Sequence, residues 1–173
     1  MKYSSDGRII YPAATIAITL DKMNSTQSYY TDHDDAITAL EYNAAADVFA
    51  TAQRSGNGDV FVYVWTSVSG VATTLQRINC GLTNAVSALA FNSDGSLLAV
   101  ACMDNSHTLI VFDWRSGVQR GSISIGNKKS LCLAFNTDKL SSGFRMIEGG
   151  VSHFTLLESK SVDLISSKNG KGM

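Results

Sequence analysis

Proline occurs once in the 173 residues, at Pro12, and charge is thin. Asp, Glu, Lys and Arg make up 17% of the chain, below the roughly 25% usual for soluble domains. They also nearly cancel, to a net charge of −1. No global field therefore draws the chain to nucleic acid or anionic lipid, and Lys128-Lys129 is the only adjacent basic pair, so nucleic-acid binding has no footprint. Cysteine is scarce and odd in number: Cys80, Cys102 and Cys132, with no C-x-x-C spacing. Small buried thiols in a reducing compartment are expected, and the closely spaced ligand pairs of a zinc site are missing. Gly-x-Ser-x-Gly is absent, and no Cys–His pair stands in a local motif of nucleophilic catalysis. "RSGNGD" has two glycines but lacks the Lys-Ser/Thr and the following helix of a phosphate loop. The apolar run from Ile9 to Leu20 is broken by Pro12, Thr15 and Thr19 and followed at once by Asp21-Lys22, with no A-x-A-like cleavage site. It is also far short of the ~20 residues that span a bilayer. A cytoplasmic protein of one domain is expected, with no membrane, cofactor, metal or small-molecule substrate.

Ser, Thr, Asn and Gly fill the place of the missing charge, a mix suited to strands and tight turns. The chain also repeats itself. "AITALEYNAAADVFATAQ" (36–53), "AVSALAFNSDGSLLAVAC" (85–102) and "SLCLAFNTD" (130–138) align on Tyr42, Phe91 and Phe135, each followed by Asn. Those aromatics are separated by 49 and then 44 residues, the repeat length of a propeller blade. Within a unit, "VSALAF" is a short apolar strand and "NSDGS" a turn in which Gly95 takes positive φ. "LLAVAC" is a second strand, "DNSH" a turn and "TLIVF" a third strand. "RSG" turns again into the more polar "VQRGSISI". The preceding unit has strands near 36–42, 48–53, 60–65 and 71–78, and two further stretches, near 9–20 and 26–30, lead into it. Strand and turn at this spacing predict four-stranded antiparallel meanders in an all-β chain.

These residues resemble the WD-repeat β-propeller family, and within it the echinoderm microtubule-associated protein-like branch. The passages that carry the likeness are "RIIYPAATIAITLDKMNSTQSYYTDHDDAITALEYN", "ATAQ", "DNSHTLIVFDW" and "GGVSHFTLLE", over about residues 8–158. The resemblance implies a partial propeller of about three four-stranded antiparallel blades, too few to close a ring of ~4–8. The domain is placed at 1–158, with blades near 31–78, 80–126 and 127–158 and leading strands at 9–30. Residues 159–173 are expected to be a flexible or atypical tail. Produced alone, such a fragment exposes two apolar sheet faces.

In WD-repeat proteins a His, a Ser or Thr, an Asp and a Trp form a buried hydrogen-bond relay inside a blade. The resemblance places His33, Thr51 and Trp65 in three of these roles and Asp59 in the fourth. In the next repeat Asp104 matches the turn Asp, but Phe112 replaces the Trp and no His stands before Asn84. An incomplete relay there is expected to cost stability. Asp104 and His107 are read as a turn, and Asp113-Trp114 as the closing pair of the third strand.

A metal or acid–base reading of His33-Asp34-Asp35, or of Asp104 with His107, competes poorly with these structural roles, because adjacent strand residues point to opposite faces. The loops "AQRSGNGDV" and "GNKKS" offer Arg54, Lys128 and Lys129 to an acidic protein surface. The resemblance implies a non-enzymatic, cytoskeletal scaffold that docks tubulin or microtubules; a WD-type adaptor in a signalling or ciliary assembly complex is the alternative. An enzyme with a central-channel site is disfavoured, because the innermost strands "AITALEY" and "AVSALAF" offer no clustered acids.

Overall fold

The computed structural model describes residues 1–55, 58–126, 129–137 and 143–159, together with the backbone of 166–170. Its sixteen strands form four antiparallel sheets of four, each a meander in chain order. The first sheet holds β1 (Lys2–Tyr3), β2 (Ile9–Ala13), β3 (Ile16–Asp21) and β4 (Thr26–Tyr30). The second holds β5 (Ile37–Asn43), β6 (Val48–Gln53), β7 (Phe61–Val68) and β8 (Val71–Asn79). The third holds β9 (Val86–Phe91), β10 (Leu97–Cys102), β11 (Thr108–Asp113) and β12 (Val118–Ser124). The fourth holds β13 (Ser130–Phe135), β14 (Phe144–Gly150), β15 (His153–Ser159) and β16 (Ser166–Gly170). The described residues contain no helix.

Two features depart from the expected layout. The leading strands are a complete sheet rather than an introduction to the next one, so there are four sheets and not about three. Its first turn, "YSSDGRII", is the "FNSDGSLL" turn shortened: Ser4 N–H bonds Arg8 O as Asn92 N–H bonds Leu97 O. The apolar run 9–20 is divided by a turn at Ala14, which has φ of 53°. At the other end the ladder runs past residue 158, because the backbone of β16 pairs with β15 from Phe154↔Gly170 to Glu158↔Ser166.

Each sheet stacks on the next, with β5, β9 and β13 side by side on the inside. Strand alternation gives every sheet a leading face, turned to the sheet before it, and a trailing face, turned to the sheet after it. Register identifies the matching positions. Phe49↔Trp65, Leu98↔Phe112 and Met146↔Leu157 are the central leading pairs. Ile10↔Thr19, Ala50↔Val64 and Ala99↔Val111 are the trailing pairs they meet. Three apolar clusters result, one per junction: Ile10, Ala17 and Tyr30 on Phe49 and Trp65; Ala50 and Val64 on Leu98 and Phe112; Ala99 and Val111 on Met146 and Leu157. Large side chains meet small ones, as close packing of twisted sheets requires. The arc of stacked blades does not close into a ring, so the fold is all-β and an open part of a propeller.

Candidate functional site

The functional candidate is the set of loops at one end of the sheets and the buried groups that hold them. At the second sheet, Trp65 Nε1–H donates to Thr51 Oγ1 at 3.0 Å, and Thr51 Oγ1 lies 2.7 Å from His33 Nε2. His33 Nδ1 lies 2.8 Å from Gln53 Oε1, and Gln53 Nε2–H donates to Asp34 Oδ1. The chemistry of the ends sets the direction of the whole chain. A carboxylate only accepts, so the Gln53 amide turns its N–H to Asp34 and its oxygen to His33. His33 Nδ1 must then carry the proton, which leaves Nε2 to accept from the Thr51 hydroxyl. Thr51 in turn accepts from the indole. The relay is satisfied by a neutral imidazole, and burial, the largest influence, pushes the His33 pKa down. Trp65 is itself clamped, stacked on Tyr30 with ring centroids 4.5 Å apart and 4.7 Å from Phe49. Tyr30 adds a second polar link across the first junction: its hydroxyl meets Thr74 Oγ1 at 2.8 Å, and Thr74 donates to Asp32.

The structure thus brings His33, Thr51 and Trp65 together and leaves Asp59 out. Asp59 is exposed and accepts from Asn79 Nδ2 at 3.1 Å. Gln53 takes the fourth role because it lies on Thr51's own strand two residues on, and therefore on the same face. The sequence gives a signal for it: a glutamine closing a strand, "VFATAQ", whose one other polar residue is Thr51.

The third sheet does not carry a broken relay. Register puts Val100, Cys102 and Phe112 where the second sheet has Thr51, Gln53 and Trp65, and the 49-residue repeat step puts Leu82 where it has His33. All four are apolar and belong to, or pack against, one cluster. The expected half-satisfied network is therefore replaced as a unit, leaving no orphaned polar partner at those four positions. Cys80 lies beside Cys102; that thiol neighbour, followed by burial, pushes the Cys102 pKa up, so Cys102 stays protonated and unreactive. Cys132, expected to be buried, is exposed on the first strand of the last sheet. In that sheet Glu148 occupies the register of Thr51, fully buried, with His153 Nε2 at 3.2 Å from its Oε1.

Asp104 and His107 lie in one turn and hold it. The Asp104 carboxylate accepts from Thr108 N–H at 2.7 Å, Thr108 Oγ1–H at 2.8 Å and Ser106 N–H at 3.3 Å. His107 takes a left-handed backbone with φ of 45°, and its N–H bonds Asp104 O. Asp113 accepts from Ser116 N–H at 3.3 Å and pairs with Arg120 at 3.2 Å. Trp114 Nε1–H donates to Gly95 O at 2.6 Å, and the Arg115 guanidinium lies 4.5 Å from the Trp114 ring centroid.

The loops are tied to one another through backbone: Ser55 N–H to Asn84 O, Val60 N–H to Leu82 O and Met103 N–H to Ala85 O. Arg54 is exposed, but its guanidinium is held by Asp35 at 3.1 Å. The Ala36 N–H, and then Arg54, keep Asp35 below the usual carboxylate range. Lys129 is exposed; Lys128 lies outside the described residues. Among the described residues this end therefore presents Asp32, Asp34, Asp35, Asp59 and Asp104 against Arg54 and Lys129. Its charge is not the basic surface that those cations alone suggested. Among the described residues no group of three or more His, Cys, Asp and Glu side chains converges as metal ligands would.

Comparison with known proteins agrees with this architecture. The family described as the anaphase-promoting complex subunit 4 WD40 domain matches residues 40–138. Echinoderm microtubule-associated protein-like 4 of Xenopus laevis is 30% identical over 139 residues, 75% of this chain and 15% of that protein. Echinoderm microtubule-associated protein-like 2 of Rattus norvegicus is 31% identical over 139 residues, 75% of this chain and 21% of that protein. The ciliary WD repeat-containing protein ctxp80 of Euplotoides octocarinatus is 28% identical over 134 residues, 68% of this chain and 18% of that protein. The chain thus spans about a fifth or less of the length of these relatives. With the domain match covering more than half of a chain built of stacked four-stranded blades, the protein belongs to the WD40 domain family.

Proposed function

We propose that this chain is part of a non-enzymatic, cytoskeletal scaffold that docks microtubules or tubulin through the loops at the relay end of its sheets. The observation that carries a docking role is the bracing of those loops. The buried Trp65–Thr51–His33–Gln53 relay reaches Asp34 on the loop surface, and backbone bonds join residues 55 and 60 to 84 and 82. Loops fixed in this way present a preorganised surface, which lowers the ordering cost of binding. The choice of microtubules rests on the two echinoderm microtubule-associated protein-like relatives. The charge at this end shapes the mechanism. With five carboxylates against Arg54 and Lys129, attraction to an acidic partner is weak, and shape and hydrogen bonding carry the contact.

Co-sedimentation with polymerised tubulin tests the reading. The chain is expected in the pellet, with binding that changes less than about tenfold between 50 and 200 mM salt, because few charges are neutralised. Failure to pellet at any salt concentration overturns it. The ciliary relative favours a second reading, an adaptor in a ciliary assembly complex; recovery with ciliary proteins from microtubule-free extract, without pelleting on tubulin polymer, selects that one.

A further inference from the structure

At the end of the strands away from the relay, the wedge between adjacent sheets is filled at one junction and open at another. Between the second and third sheets Trp114 fills it: the indole is 4% exposed and belongs to one cluster with Val48 and Ala46. Gln76 then ties the second sheet to the next turn, its Nε2–H donating to Arg115 O at 3.1 Å. Between the first and second sheets, register puts Ser67 in the place of Trp114 and Ser28 in the place of Gln76. A hydroxymethyl group stands where the next junction has an indole. A cleft of about 600 Å³ remains between the trailing face of the first sheet and the β7–β8 turn. Both of its walls belong to a junction inside the chain.

No apolar side chain lines this cleft. Arg8, whose side chain is 13% exposed, is paired through Nε with Asp6 at 2.7 Å and donates from Nη1 to Ser67 Oγ at 3.1 Å; its Nη2 meets no acceptor among the described residues. Thr19 is 4% exposed, in a place that Val64 holds in the second sheet. Its hydroxyl has no partner among the described residues, and neither have those of Thr26, Ser28 and Ser69. A buried hydroxyl without a partner is costly unless what occupies the cleft satisfies it. Charge nearly cancels. Asp6 is matched by Arg8, and the Asp21 carboxylate accepts from Met23 N–H at 2.9 Å, Asn24 N–H at 3.1 Å and Asn24 Nδ2 at 2.7 Å. An anion would gain one guanidinium edge and face two carboxylates. A neutral ligand dense in hydroxyls meets free donors and free acceptors together.

We propose that this cleft binds a neutral polyhydroxylated ring, a sugar of mono- to disaccharide size, through Arg8 Nη2 and the hydroxyls of Thr19, Thr26, Ser28 and Ser69. Its volume falls within the roughly 300–1,000 Å³ of small-molecule sites. The site is separate from the docking loops, which stand at the other end of the strands.

Titration of the full chain with glucose and with maltose, followed by amide chemical shifts in nuclear magnetic resonance, tests this. Saturable shifts are expected at Asp21, Ser28 and Ser69, with a Kd of about 1–10 mM, the strength that a dozen or so ligand atoms supply at ordinary efficiency. Ser67→Trp repeats the plug of the third sheet and should remove saturable binding. Thr19→Val copies Val64 of the second sheet and should weaken binding about threefold, the loss of one hydrogen bond, without lowering Tm. A hydroxyl that served the junction alone would leave Kd unchanged. Should the indole disturb folding, seen as loss of the far-ultraviolet β spectrum, Ser28→Leu closes the cleft from the first sheet instead. Thr73→Val, outside the cleft, should leave Kd as it is. Shifts that grow in proportion to sugar without saturating, saturation that survives the plug in a folded variant, a Kd unchanged by Thr19→Val, or tighter binding of citrate than of either sugar overturns the proposal.

Discussion

Replacing Thr51 by valine preserves shape and removes one oxygen. That oxygen accepts from Trp65 Nε1 and meets His33 Nε2, and all three residues are buried. The variant therefore orphans two groups at once, an indole N–H and an imidazole nitrogen. Each unsatisfied buried polar group costs roughly 1–3 kcal/mol, and the added methyl recovers about 0.8 kcal/mol, so the net loss from the two is about 1–5 kcal/mol. In a domain of this size each kcal/mol lowers Tm by roughly 2–4 °C, a fall of about 2–20 °C. Urea unfolding followed by circular dichroism and by Trp65 and Trp114 fluorescence, at one fixed protein concentration, measures it. Thr73→Val, at an exposed position on β8, should stay within about 0.5 kcal/mol of the parent. The third sheet shows why valine fails only in isolation: Val100 fills the equivalent position beside Leu82, Cys102 and Phe112, none of which asks for a partner. A Thr51→Val loss no larger than that of Thr73→Val would refute the relay as a stabilising network.

Three further outcomes are expected. His33 has its pKa lowered in the folded chain, so its contribution is complete above the unfolded imidazole value of about 6.5 and is lost as pH falls through the lower folded value. Melting between pH 7 and 5 should therefore steepen toward acid by up to about 1.4 kcal/mol per pH unit, and His33→Gln should flatten that slope; identical slopes in both would refute it. Gly95→Ala should destabilise by at least about 1–2 kcal/mol from the left-handed backbone alone, since φ is 68° there and a Cβ would stand 2.6 Å from Asn43 Oδ1; a neutral effect in thermal melting would count against this packing of turns. His153→Ala strands the fully buried Glu148 and should cost about 3–5 kcal/mol, whereas replacing both partners, Glu148→Leu with His153→Leu, should be near neutral or stabilising; equal losses for the single and the double variant in urea titrations would refute the pairing.

Much of the fold could be read from the residues because strand alternation and turn chemistry are local. The stretches 48–53 and 97–102 are strands with those limits, and the Asn-Ser-Asp-Gly turn stands where its side chains require it. The first sheet escaped although "YSSDGRII" and "FNSDGSLL" match without a gap at the aromatic and the Ser-Asp-Gly: no Asn follows Tyr3, and the turn closes one residue earlier, pairing Tyr3 with Ile9 where Phe91 pairs with Leu98. The relay was legible at His33, Thr51 and Trp65. Gln53 was not, because an acid was sought in the loop while same-face geometry already supplied an amide on the strand. Glu148 was hidden for a different reason: in "FRMIEGG" only the alternation shows that it points inward, and hydropathy argues the opposite.

Because, among the described residues, each sheet packs mainly on the sheets next to it in the chain, the molecule is held together like a line of books rather than a ball. The two middle sheets are gripped on both sides by the three apolar junctions. Melting should begin at the ends and move inward, so amide protons of β6, β7, β10 and β11 should be the last to exchange with solvent.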